Sequence, residues 1–231
     1  MNKPLVAIQC LVYNHEPYLR DCLNGFVSQQ TSFSFVAIVH DDASTDNSVA
    51  IIKEFAEKYP DIIIPIYEKE NLYRKPNGIL MKTVHAALDK TGSKYIAICE
   101  GDDYWTDPLK LQKQIEILES NSDLIACVTN TCKVDKKGNL LEQKKENVVQ
   151  GNKEGIYDIY DFFKMPQHQY PTATIVYRAI HQNEIRSKFR HTENPFRGDW
   201  TLWIILHSYG KFYYLDEVTA AYRTNPTSLT H

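Results

Sequence analysis

Apolar residues run almost unbroken from Leu5 to Val12, the pattern of a strand buried on both faces of a parallel sheet. After Tyr13-Asn14 the apolar positions return at Leu19, Cys22, Leu23, Phe26 and Val27, a spacing that predicts a helix. Phe35 to Val39 predicts a second strand, ending at Asp41-Asp42. Val49, Ile52, Ala56 and Tyr59 mark a second helix that starts near Ser44 or Thr45. Asp61 to Tyr67 predicts a third strand, Leu80, Val84 and Ala87 a third helix, and Tyr95 to Cys99 a fourth strand. Strand and helix alternating at this rhythm predict an α/β fold with a doubly wound, mostly parallel sheet.

Past Asp123 the rhythm changes. Leu124 to Val134 predicts a long strand, Asp135 to Asn139 a turn, and the lysine-rich stretch 142–154 a surface loop. Thr172 to Tyr177 alternates like a strand, Asp199 to Leu206 is apolar at helical spacing, and Phe212 to Leu215 predicts a last short strand. The expected organisation is one domain in two halves, 3–106 and 107–231.

The end of the fourth strand carries the most chemistry. Glu100-Gly101-Asp102-Asp103-Tyr104-Trp105 leaves an apolar run, and Asp107-Pro108 then signals a helix start with Asp107 as cap. Asp102 and Asp103 are thereby held at the carboxyl end of a strand, where open α/β sheets bind ligands. Hard oxygen ligands at such a place suit Mg²⁺ or Mn²⁺, and those ions suit a diphosphate.

Composition narrows the function classes. The 231 residues suffice for one large core, and a formal charge of −3 gives no electrostatic reason to expect a nucleic-acid partner. The N-terminal residues lack a signal-peptide layout, and no apolar run approaches the roughly 20 residues that span a bilayer. A cytoplasmic location is therefore expected. The lysine group at 133–145 is a candidate for peripheral contact with anionic lipid at the inner membrane face, against the plainer reading of a solvated loop. Five cysteines, four of them among apolar neighbours, read as reduced packed thiols.

Four separated blocks then share one pattern: Val12-Tyr13-Asn14, His40-Asp41-Asp42-Ala43-Ser44-Thr45-Asp46, Glu100 to Trp105, and Gly198-Asp199-Trp200 with Leu202-Trp203. In this order they resemble the family 2 glycosyltransferases of the nucleotide-diphospho-sugar-transferase (GT-A, Rossmann-like) fold. The resemblance implies inverting transfer of a sugar from a nucleotide-diphosphate donor, a UDP-sugar by preference, to the hydroxyl of a saccharide or lipid-linked saccharide, with Mn²⁺ or Mg²⁺ as cofactor. It assigns Asp199 as general base and Asp103 as the metal ligand. Asp102 falls near the ribose or metal, Asp42 accepts the base N–H, and Val12 and Tyr13 line the base. The chain departs from the pattern in Ala43, where glycine is frequent, and in Asn225, where a histidine often follows the pair matched by Tyr222-Arg223.

The residues also admit plainer readings. Asp199 could simply cap a helix, and Asp41 or Asp42 could form an Asx-turn, with Asp42 preferred as the base acceptor. Arg74, Lys75 and Lys82 could meet phosphates or face solvent. Trp105, His168 and Trp200 are placed on the acceptor side. A sugar nucleotidyltransferase would need a glycine-rich phosphate loop after the first strand, and Val12 to Glu16 contains no glycine. A sugar-nucleotide-binding protein without turnover is the other competing class.

Overall fold

The computed structural model describes residues 3–75, 78–141, 153–164, 170–180 and 198–224. Strands β1 (Val6–Val12), β2 (Phe35–Asp41), β3 (Ile63–Tyr67) and β4 (Tyr95–Ile98) alternate with helices α1 (Leu19–Val27), α2 (Ser48–Lys58) and α3 (Ile79–Thr91). Then come β5 (Tyr104–Trp105), α4 (Lys110–Ser120), β6 (Leu124–Val134), β7 (Gly155–Tyr157), α5 (Ile159–Lys164), β8 (Val176–Arg178), α6 (Gly198–His207) and β9 (Lys211–Arg223).

All nine strands join one sheet, ordered β3-β2-β1-β4-β8-β6-β9-β5, with β7 paired to β9. β1 lies parallel to both β2 and β4, and β2 lies parallel to β3. β8 is antiparallel to β4 and to β6, while β6 and β9 are parallel. The doubly wound, mostly parallel α/β sheet expected from the sequence is therefore present.

Helices cover both faces, which is why the central strands are continuous apolar runs. Val6, Ile8, Cys10 and Val12 of β1 pack in one core with Leu23 and Phe26 of α1, Ile52 of α2 and Leu111 of α4. Ala7 of the same strand joins the opposite core, with Val84 and Leu88 of α3, Phe162 of α5 and Trp203 of α6. The cysteines are free thiols, four of them buried.

Three expectations need correction. Thr172 to Thr174 forms a 3-10 turn rather than the start of a strand, because three buried donors capture its carbonyls. Trp105 Nε1 donates to Ala173 O at 2.9 Å, and Lys110 Nζ and Gln114 Nε2 donate to Thr174 O at 3.0 and 2.9 Å. Lys110 also bonds to Gln114, and its burial pulls the amine down to about 7. The last strand is 13 residues long rather than four. Register shifts around Thr129, Asn130 and Thr131 of β6, opposite the polar pair Asp216-Glu217, interrupt the alternation that would have shown its length. Finally, Asp107 caps a turn ahead of α4: its Oδ1 accepts Leu109 N–H at 2.8 Å, and the helix begins at Lys110.

Candidate functional site

The chain winds outward from β1 through β2 to β3, then returns to place β4 on the other side of β1. This is a topological switch point, the place where open α/β sheets bind ligands beyond the carboxyl ends of their strands. Two loops form one wall by interlocking. Asn14 N–H donates to Ser44 Oγ at 2.9 Å, Thr45 N–H to Asn14 Oδ1 at 2.8 Å, His15 N–H to Ser48 Oγ at 3.0 Å, and Glu16 N–H to Asp46 Oδ2 at 3.0 Å. Asn14 and Ala43 both take left-handed backbone, with φ of 55° and 62°. Alanine bears a steric cost in that conformation that glycine would not.

Asp41 and Asp42 end β2 with different tasks. Asp41 Oδ1 accepts Ser44 N–H at 3.0 Å in an Asx-turn, and its Oδ2 is buried with no hydrogen-bond partner among the described residues. Asp42 Oδ1 and Oδ2 accept the amides of Leu72 and Tyr73 at 2.6 and 3.0 Å, so this carboxylate fixes the loop that carries Arg74. Arg74 and Lys82 are exposed, and Lys75 pairs with Glu70 at 2.8 Å. Tyr13 is 37% and Tyr73 67% exposed, leaving two aromatic rings beside the buried pair. Val12 is buried, and its carbonyl accepts Asp42 N–H at 2.9 Å.

The turn after β4 forms the other wall. Gly101 N–H donates to Leu11 O at 2.9 Å, holding this turn against β1. A Cβ at Gly101 would stand 2.7 Å from His15 Nδ1, 3.0 Å from Val12 Cγ2 and 3.2 Å from Leu11 O. Gly101→Ala should therefore destabilise the fold by about 1–3 kcal/mol, because the Leu11 carbonyl is part of the β1 ladder and cannot give way as a side chain can. A chemical denaturation curve indistinguishable from wild type would refute this close approach.

Asp103 and Asp102 face different surroundings. Asp103 is buried, its Oδ1 accepts Arg223 N–H at 2.8 Å, and burial, followed by the Asp102 charge, holds its carboxyl well above the usual range. Asp102 is half-buried, and its carbonyl rather than its carboxylate is engaged, by Arg223 Nε at 2.9 Å. Glu100 is pushed up to about 8, by burial first and then by Asp102, Asp199 and Asp103. Asp199 lies exposed in the first turn of α6. Its effect on Glu100 brings it within electrostatic reach of the strand-end carboxylates, although Asp199 and Asp102 are far apart in sequence. An acidic residue in a first helical turn is also favoured by the helix dipole.

The residues fit a divalent cation of the magnesium type. Among the described residues no three His, Cys, Asp or Glu side chains form a ready cage. Such an ion commonly takes only one or two carboxylates and completes its shell with phosphate and water. The repulsion from Asp102, Asp199 and Asp103, which adds to burial in raising Glu100, is what a bound cation would relieve.

The acceptor-side expectations divide. Trp105 is 4% exposed, packs edge-on against Phe26 at 5.0 Å and donates its N–H to Ala173, so the structure corrects it from an acceptor contact to a core residue. Trp200 is half-buried against Phe162, with ring centroids 5.8 Å apart, at the same helix end as Asp199. His168 lies outside the described residues. Sequence reasoning missed Glu100, His15 and the role of Arg223. The first could have been found from its spacing of two residues before Asp102, and His15 from its place after the β1 end. Arg223 stands in the sequence pattern only as half of the Tyr222-Arg223 pair.

Comparison with known proteins gives the family and the fold. The uncharacterized Mycobacterium tuberculosis protein Rv1520 is 42% identical over 122 residues, which cover 53% of this chain and 34% of that protein, so the chain spans about a third of its length. An uncharacterized glycosyltransferase of Methanocaldococcus jannaschii, MJ1057, is 28% identical over 227 residues, covering 96% of this chain and 72% of its own. The crystal structure of S. aureus TarS residues 1–349 with UDP superposes with a TM-score of 0.66 at 17% identity, covering 96% of this chain and 61% of that 1–349 chain. The Pyrobaculum calidifontis mannosyltransferase PcManGT, in complex with GDP-Man and Mn²⁺, superposes with a TM-score of 0.62 at 16% identity, covering 99% and 59%. At these identities the two structures establish the GT-A fold. Residues 10–207 match the family described as glycosyl transferase family 2, and the chain belongs to that family.

Proposed function

We propose that this chain is an inverting glycosyltransferase that binds a nucleotide-diphosphate sugar in the crevice between the β1 and β4 loops and passes the sugar to an acceptor hydroxyl. The observation that carries the reading is the convergence of Glu100, Asp102, Asp103 and Asp199 at the switch point. Asp102, half-open to the crevice, would hold a Mn²⁺ or Mg²⁺ ion, which when bound offsets the charge of the departing diphosphate. Asp103 would brace the turn from inside.

Asp199 accepts the proton of the acceptor hydroxyl. The acceptor oxygen bonds to the anomeric carbon as the bond from that carbon to the diphosphate oxygen breaks on the opposite face, which inverts the configuration. Trp200 beside it would screen the reaction from water or stack on the acceptor ring. At the other end of the donor, Tyr13 would pack on the base and the Asp41-Asp42 pair would accept its N–H. Asp42 already holds two amides, so the unpartnered Oδ2 of Asp41 is the second acceptor within this pair. Uracil offers such an N–H at N3 and guanine at N1, whereas adenine lacks it at the corresponding edge.

A thermal-shift screen tests the donor half of the reading, since a ligand that binds only the native state raises apparent stability. UDP, GDP, ADP and their sugar derivatives are compared with Mn²⁺ and with EDTA. A uracil or guanine nucleotide should raise Tm in Mn²⁺ and do so less in EDTA. ADP should trail by about tenfold or more in affinity, the effect of leaving a buried acceptor unpaired. Equal shifts with ADP would contradict the base assignment, and no shift with any nucleotide would contradict the proposed donor site.

A further inference from the structure

Arg223, the last residue of β9, is 3% exposed and ties together segments that are remote in sequence. Its backbone N–H donates to Asp103 Oδ1 at 2.8 Å and its Nε to Asp102 O at 2.9 Å. Nη1 donates to the carbonyls of Asp135 and Lys136 at 3.1 and 3.2 Å, and Nη2 to Asp21 Oδ2 of α1 at 3.1 Å. The guanidinium also lies over the rings of Tyr18 and Tyr104, 4.7 and 5.4 Å from their centroids. Four of the five side-chain N–H bonds are thus engaged in a planar fork, an arrangement that the three rotating donors of lysine cannot reproduce.

Burying a guanidinium is costly, and its one ion-pair partner, Asp21, is itself 54% exposed at the side chain. The bonds that define the position of Arg223 run to backbone carbonyls and to the inward-turned Asp103. Of these, the side-chain bond from Nε to Asp102 O fixes the peptide unit between Asp102 and Asp103, while the bond to Asp103 Oδ1 comes from the Arg223 backbone amide. We infer that Arg223 is a positioning residue: its guanidinium holds the peptide unit between Asp102 and Asp103 and locks that turn to the 135–139 turn, so that the Asp102 side chain keeps one orientation. The inference rests on the donor-site reading above for its functional consequence, and on the ligand-free geometry for the rest.

The test compares wild type with Arg223→Lys, Arg223→Ala and Asp21→Asn. Amide hydrogen exchange of the ligand-free proteins is measured together with calorimetric titration of UDP in Mn²⁺ and in EDTA. Arg223→Lys should speed exchange at 102–104 and 135–139 while the amides of β1 and β2 keep their rates. It should also lower UDP affinity in Mn²⁺ by about 10–100-fold, the usual effect of removing a group that orients a metal ligand, and leave affinity in EDTA unchanged. Arg223→Ala should do the same more strongly if it folds. Asp21→Asn removes only the exposed partner and should keep the Mn²⁺-dependent gain.

A merely structural arginine would lower Tm with exchange raised across the whole sheet and the Mn²⁺ gain intact, and that result would overturn the inference. Should wild type itself show no Mn²⁺-dependent binding, the donor-site reading fails. The exchange data then decide alone: acceleration confined to the two segments supports the clamp, and uniform or absent acceleration removes it.

Discussion

Asp199→Asn is expected to lower sugar transfer by about 10²–10⁴-fold, the usual worth of a positioned general base, while fold and UDP affinity survive. The carboxylate sits exposed in the first turn of α6, where an amide of the same size creates neither a cavity nor a buried unpaired group. The helix loses the dipole contribution of a charged first-turn residue, about 0.3–1 kcal/mol. Donor binding rests on the β1, β2 and β4 loops, so the effect should fall on turnover rather than on donor affinity. Matched Tm values and UDP isotherms for the two proteins, with transfer nearly lost in the variant, would separate a base from a helix-end residue. Near-normal turnover would place the base elsewhere.

The second large effect concerns the adjacent pair at the β4 end. Asp102→Asn should reduce the Mn²⁺-dependent part of UDP affinity by about 10–100-fold or more, since it removes the carboxylate that faces the crevice. Asp103→Asn should keep most of that gain. Its side-chain oxygen can still accept the Arg223 N–H, and the native carboxyl is buried with one oxygen already engaged. Calorimetry of both variants in Mn²⁺ and EDTA distinguishes the two. If Asp103→Asn abolishes the gain and Asp102→Asn is silent, Asp103 is the ligand, as the sequence resemblance implies.

The sequence made the first half of the fold legible because buried parallel strands leave an unambiguous mark. Leu5 to Val12 is apolar at nearly every position since helices cover both faces of β1, and the helices after it keep their spacing because each buries one stripe. The second half was less legible where polar groups are buried. β9 hides its length behind Asp216-Glu217 and the shifted register with β6, and the turn at 172–174 depends on donors from Trp105, Lys110 and Gln114. Trp105 reads like a site residue by adjacency to the aspartates, but β5 pairs it with β9 and turns its ring onto Phe26.

The same limit governs the site. Paired aspartates at a strand end announce a ligand site, yet the burial of Asp103 comes with a contact to the backbone of residue 223, which lies 120 residues beyond it. Local pattern carries no trace of that contact. The electrostatic influence of Asp199 on Glu100 is likewise invisible locally, since α6 and the end of β4 are far apart in sequence.

The most direct test of glycosyl transfer is the release of nucleoside diphosphate from the nucleotide sugar that binds best. It is followed in Mn²⁺ against a panel of saccharide acceptors, for wild type and Asp199→Asn. The account predicts release that requires Mn²⁺, rises with one class of acceptor and nearly vanishes in the variant. Tight binding of the nucleotide sugar by wild type, with no diphosphate released above the variant for any acceptor, would contradict it and leave a binding protein.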